Sequence, residues 1–151
     1  MQETRRIEDQ LYRGFRGEAW HGPCLRDLLR DVSCEQALAR PFANVHSIWE
    51  IVLHLTTWLD AARRRLAGEP FEPDPEQDWP AVMAGAESDW QIALGHLEGA
   101  VERLRGAVTA LDPERLDDNV RGKPYSIYFL LHGVIQHNLY HAGQIALLKK
   151  A

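Results

Sequence analysis

The sequence predicts an all-α fold, a four-helix bundle with a long crossover between its second and third helices, built as a single domain over residues 1–151. Three observations predict it. Apolar residues recur at steps of three and four along four separate stretches, the spacing of one helix face. No stretch reads as a convincing strand. Four of the eight prolines, Pro70, Pro73, Pro75 and Pro80, crowd between the second and third stretches and disfavour helix there. The chain has 151 residues, 45% of them hydrophobic, which is enough for a real core without disulfide or metal staples.

The first helix begins near Gln2 with Ile7 and Leu11 on one face. Gly14, Gly17, Gly22 and Pro23 interrupt it before Leu25, Leu28, Leu29 and Val32 resume the pattern, so it is expected to be kinked or broken. Residues 33–46 read as a connector with one short helical turn. Ser47 followed by Glu50 fits a capping box and starts the second helix, Ile48 to about Leu66, which stops at Gly68. In the acidic proline-rich loop that follows, Pro80 suits the first position of a third helix. That helix carries the stripe Met83, Trp90, Leu94, Leu97, Val101, Leu104, Val108 and Leu111, and Asp112-Pro113 ends it. After a polar stretch with a short turn, Ser126 can cap a fourth helix reaching about Lys149, whose basic end suits the helix dipole.

Composition excludes several classes. The net charge of −5 lacks the basic footprint of a nucleic-acid binder, so no nucleic-acid partner is expected. No apolar run approaches the length that spans a bilayer, so no membrane partner is expected either. The N-terminal MQETRRIEDQ is charged and polar where a signal peptide would be apolar. A cytoplasmic location is therefore expected, and in that compartment Cys24 and Cys34 should stay unpaired.

Seven histidines stand out. His137 and His141 form an HxxxH pair, about 40° apart on one helix face, so two imidazoles could reach one metal ion. Such pairs also occur by chance. His54 lies mid-way along the second helix, on the rim of the arc Ile51, Leu55, Trp58 and Leu59, where a histidine is more often a satisfied core or rim residue than a ligand. The combination carries more force. In a bundle, sites form from side chains on facing helices, and three neutral imidazoles with one open position make a centre of the catalytic-zinc type. Gly133, one turn before His137, either leaves space for a ligand or allows close helix packing.

The remaining candidates are weaker. There is no HExxH, P-loop or GxGxxG. The single Glu-x-x-His spacing, Glu18 to His21, lies in the glycine-broken region, which argues against a di-iron carboxylate bundle. Ser47 and Ser126 read as caps, not nucleophiles. His96 lies off its helix stripe and should be solvated. His132 sits about 140° around the helix from His137 and should not share its metal. His46 could approach the mouth of the site. Glu50 could orient His54, although capping already explains it.

HSIWEIVLHLTTW, followed far downstream by HGVIQHNLYHAGQI, resembles the DinB-like superfamily of damage-inducible bacterial proteins. GEAWHGP near the start belongs to the same likeness, which covers nearly the whole chain. The resemblance implies a four-helix bundle with a long crossover and one divalent metal held by His54, His137 and His141. It also implies relatives among thiol-dependent enzymes, namely S-transferases that use low-molecular-weight thiols and a mycothiol-dependent isomerase.

The expectation is thus a metal-dependent enzyme holding one divalent ion, zinc or nickel. It would act as a thiol S-transferase or as a hydrolase through activated water, with a small-molecule thiol or electrophile as partner. The sequence assigns no catalytic residue beyond the ligands. The alternative is a non-catalytic stress-response or binding module whose metal clamps two helices. A homodimer is also expected. The fourth helix is apolar on a second side, through Tyr128, Leu131, Ile135, Leu139, Ala142 and Ala146, and a helix apolar all round must be buried all round. Members of the resembled family are often dimers.

Overall fold

Four long helices carry the core. In the computed structural model, which describes residues 2–151, they are α1 (Glu3–Phe15), α4 (Ile48–Leu66), α6 (Glu87–Ala110) and α7 (Ile127–Leu148). Shorter pieces join them: α2 (Leu25–Leu29), α3 (Cys34–Leu38), α5 (Pro75–Asp78) and a 3₁₀ turn at Pro113–Asp117. The described residues form no strand, only isolated bridges between Ala19 and Gly22 and between Asn119 and Ser126. None of their helices is long and apolar enough to cross a membrane. The all-α expectation therefore holds, with four long helices and three short ones.

Local chemistry sets the helix starts. Ser47 accepts from the Glu50 N–H while the Glu50 carboxylate accepts from the Ser47 N–H at 2.9 Å, the reciprocal pair read from the sequence. Ser33 with Gln36 and Asp74 with Gln77 do the same for α3 and α5, and the Ser126 hydroxyl accepts from the Phe129 N–H. The first helix is broken, not kinked. The Arg16 and Gly17 N–H groups both close onto the Tyr12 carbonyl, and a Cβ on Gly17 would meet the Tyr12 ring at 2.8 Å. Glycine lets the chain leave α1 at that point.

The third long helix starts later than the sequence suggests. Pro80 does not open it; residues 79–86 are non-helical, Met83 is 88% exposed, and α6 begins at Glu87. The start is pinned where the Asp89 carboxylate accepts from the Ala86 N–H at 2.9 Å. Just before it, Gly85 lies so close to Trp49 that a Cβ would stand 2.6 Å from the indole. The crossover between α4 and α6 accordingly runs over residues 67–86, with α5 inside it.

α4 packs on α6 and α7, and α1 packs on the same two, which closes the four into a ring in the order α1, α6, α4, α7. α1 and α4 thus sit diagonally, as do α6 and α7. One contiguous core fills the ring, with Ile51, Leu55, Leu59, Trp90, Leu104, Leu131 and Ile145 essentially inaccessible. Cys24 and Cys34 are free thiols. Packing α4 against α7 is what sets the three candidate histidines opposite one another.

Candidate metal centre

His54 on α4 and His137 and His141 on α7 meet at their Nε2 atoms. His137 Nε2 is 3.0 Å from His54 Nε2 and 3.1 Å from His141 Nε2. His54 and His141 are buried, and His137 forms the edge nearest solvent. The HxxxH spacing places the α7 pair one turn apart on the side that faces α4.

Hydrogen bonds fix the tautomers. His54 Nδ1 lies 2.7 Å from the Asp78 backbone carbonyl and 3.0 Å from its carboxylate. A carbonyl only accepts, so Nδ1 carries the proton and Nε2 presents a lone pair. His141 Nδ1 donates to Gln144 Oε1 at 2.6 Å, leaving its Nε2 a lone pair as well. Two lone pairs therefore converge on the third imidazole, whose Nε2 can donate to one of them at most. A cation satisfies all three nitrogens together. Tetrahedral zinc with bonds of about 2.0–2.1 Å spaces its nitrogens about 3.3 Å apart, close to the separations seen. The outer partners also fit, because a ligating histidine usually donates its other N–H to a carboxylate, carbonyl or amide oxygen. The three histidines are grouped as a cluster that could hold a metal ion.

The crossover supplies one wall. Asp78, at the end of α5, also accepts from the Trp58 indole N–H at 2.6 Å, which ties that carboxylate to α4. Trp79 lies flat between two histidines, with its ring centroid 3.8 Å from that of His54 and 3.7 Å from that of His46. His46 therefore reaches the periphery of the site, on the far face of Trp79 from His54, with its Nδ1 3.4 Å from Glu50. Glu50 does not orient His54. It accepts the Ser47 N–H and pairs with Arg40; burial raises its pKa, but these partners bring it below the ordinary value.

Burial lowers the pKa of all three histidines, and charge on His141 or His54 further disfavours charge on His137. His137 is pushed down to about 4. An unfolded chain protonates these rings near 6.5, before the folded one does. The contribution of these histidines to the stability of the metal-free protein is therefore complete above that value and is lost as pH falls from about 6.5 toward 4. Urea midpoints at pH 7 and pH 5 should show this loss in the wild type and a smaller one in His137→Ala. Equal losses in the two proteins would refute it.

An open groove of about 330 Å³ adjoins His54 and His137. Trp58 and Phe129 flank it, Leu130 and Val134 line it, and Arg65 and Tyr125 stand among its walls. A Cβ on Gly133 would meet nothing within 4 Å, so this glycine leaves groove space and is not required by close helix packing.

His96 is exposed, as expected. His132 stays outside the cluster with its ring 4.2 Å from that of Tyr128. Asp78 and Trp79 escaped the sequence reading because both lie in the proline-rich loop. The Asp74-Pro75-Glu76-Gln77 run was the available signal, since it is a capping box that marks a helical turn just before them. Arg65, Tyr125 and Phe129 carried no signal of a site.

Fold and cluster together define a class: helical-bundle proteins with three inward histidines on two packed helices beside an open groove. The chain belongs to the DinB superfamily, whose family model matches residues 21–145. No curated protein and no solved structure matches it.

Proposed function

We propose that the protein is a metal-dependent enzyme in which His54, His137 and His141 hold one divalent ion, zinc or nickel, and that it transfers or activates a small thiol, or hydrolyses its substrate, in the adjacent groove. The observation that carries this reading is the pair of fixed lone pairs, on His54 and His141, aimed at the third imidazole. Imidazole donors suit both metals. The ion supplies Lewis acidity, which makes a thiol or water nucleophilic near neutral pH. Asp78 and Gln144 hold the ligand rings in orientation, and Trp79 shields one face of His54 from water. Among the described residues the cluster offers three ligands, where a structural zinc takes four, and a groove meets it. That combination favours an enzyme over a clamp.

Elemental analysis of the purified protein tests the metal, and a screen of thiols and electrophiles on the loaded form tests the chemistry. One ion per chain and turnover that needs both ion and thiol support the transferase. Turnover without thiol assigns the hydrolase. A chain that takes up neither zinc nor nickel overturns the reading.

Of the second apolar side of α7, Leu131 and Ala142 are buried in the core, and we further infer a homodimer formed through the part that the bundle leaves uncovered. Trp20 is 102% exposed beside a groove containing Ile135 and Leu139, and a neighbouring groove runs over Leu139, Gly143 and Ala146. The two grooves share Leu139, so they form one continuous surface that a two-fold axis can use. Light scattering at micromolar concentration should give twice the chain mass. A monomer mass at every concentration would refute it.

A further inference from the structure

The groove beside the histidines has two different ends. At one end stand His54, His137 and the Asp78 carboxylate. At the other stands Arg65, only 4% exposed, with three of its nitrogens engaged. Nε donates to the Phe71 carbonyl at 3.0 Å, Nη2 pairs with Glu72 at 3.0 Å, and Nη1 donates to the Tyr125 hydroxyl oxygen at 3.3 Å. Lys123 pairs with the same Glu72 oxygen, so two cations share one carboxylate beside Tyr125. Because the Tyr125 oxygen accepts from Arg65, its own proton is turned elsewhere, on a ring that lines the groove.

Between the ends the walls are apolar, and the position of Gly133 is bare. Phe129 and His137 lie eight residues apart on α7, about 12 Å along the axis at 1.5 Å per residue. Such walls bind an apolar body without fixing its direction. One oriented donor with a local excess of positive charge fixes it.

Building on the reading of the histidine centre as a metal-dependent enzyme, we propose that Tyr125, held by Arg65, is the specificity-determining residue of the groove and receives the carboxylate of an elongated amphipathic acid. The apolar body, aromatic or alkyl, lies along Gly133 between Trp58 and Phe129. The reactive end of the molecule then reaches His137.

Calorimetric titration of biphenyl-4-carboxylate and its neutral analogue biphenyl-4-methanol, on metal-free and zinc-loaded protein, tests this. The acid should bind more tightly than the alcohol in both forms. Tyr125→Phe keeps the ring and should weaken the acid by about ten-fold or more, the worth of a hydrogen bond to a charged group, and the alcohol by less. Gly133→Leu should block both probes while zinc content stays at the wild-type value. The proposal is overturned if Tyr125→Phe binds the acid as the wild type does, if the acid binds no better than the alcohol, or if the acid does not bind at millimolar concentration. It is equally overturned if His137→Ala, and not Tyr125→Phe, weakens the acid, since the carboxylate then sits at the histidines. Failure of the metal reading shows separately, as a chain that binds the acid through Tyr125 and takes up no zinc.

Discussion

Alanine at His54, His137 or His141 should abolish stoichiometric metal binding, while alanine at His96 or His132 should leave it intact. Each of the first three supplies one Nε2 to a cluster that offers no spare protein donor among the described residues. Truncating any one of them leaves only two imidazole nitrogens at the centre, too few to hold a divalent ion at full occupancy. The outer partners grade the effect. Changing the group that orients a ligating histidine costs roughly 10–100-fold in metal affinity, so Gln144→Ala should fall in that range and the histidine variants beyond it. His96 is exposed and His132 is packed by Tyr128, so neither reaches the centre. Elemental analysis and competitive titration of each purified variant measure this. Full occupancy in two of the three ligand variants would show the assignment to be wrong, as would loss of metal in His96→Ala.

The clustering of those three histidines was legible in the sequence because helix periodicity is a local rule that the fold preserves. An i, i+4 pair stays on one face wherever the helix docks, and His54 sits beside residues that had to face the core. The start and stop of α4 were legible for a similar reason: Ser47, Glu50 and Gly68 act on the backbone within a few residues of themselves. The start of α6 was not. Pro80 has the right local chemistry for a first helical turn, but the chain there is held by distant contacts, Gly85 against Trp49 and Cys34 Sγ donating to the Gly85 carbonyl at 3.3 Å. Asp78 was hidden by the same cause, since its partners His54 and Trp58 lie twenty residues or more away and no sequence period links them. What helices dictate locally could be read from the chain. What the crossover does to the site depends on tertiary packing.

Trp90→Ala should be among the most destabilising single substitutions in the protein, and it should loosen the crossover along with the core. The indole is 0% exposed, its ring tilts against Trp49 at 5.4 Å between centroids, and its N–H donates to the Val32 carbonyl at 2.7 Å. Three parts of the chain thus meet on one side chain: α6, α4 and the end of the α2 segment. Truncation leaves a cavity, typically costing about 3–5 kcal/mol for a tryptophan, and also strips the Val32 carbonyl of its donor. For a chain of this size that corresponds to a fall in Tm of roughly 6–20 °C. Trp49 carries the disturbance outward, because Gly85 rests against the edge of its indole at the C-terminal end of the crossover, while Asp78 and Trp79 hold the middle of the crossover against the histidines. Trp90→Phe separates the contributions: it retains most of the volume and loses the hydrogen bond, so it should cost about 1–3 kcal/mol. Thermal melts of metal-free protein read both variants. A Trp90→Ala protein melting within about 2 °C of wild type would mean that the indole does not tie these segments together.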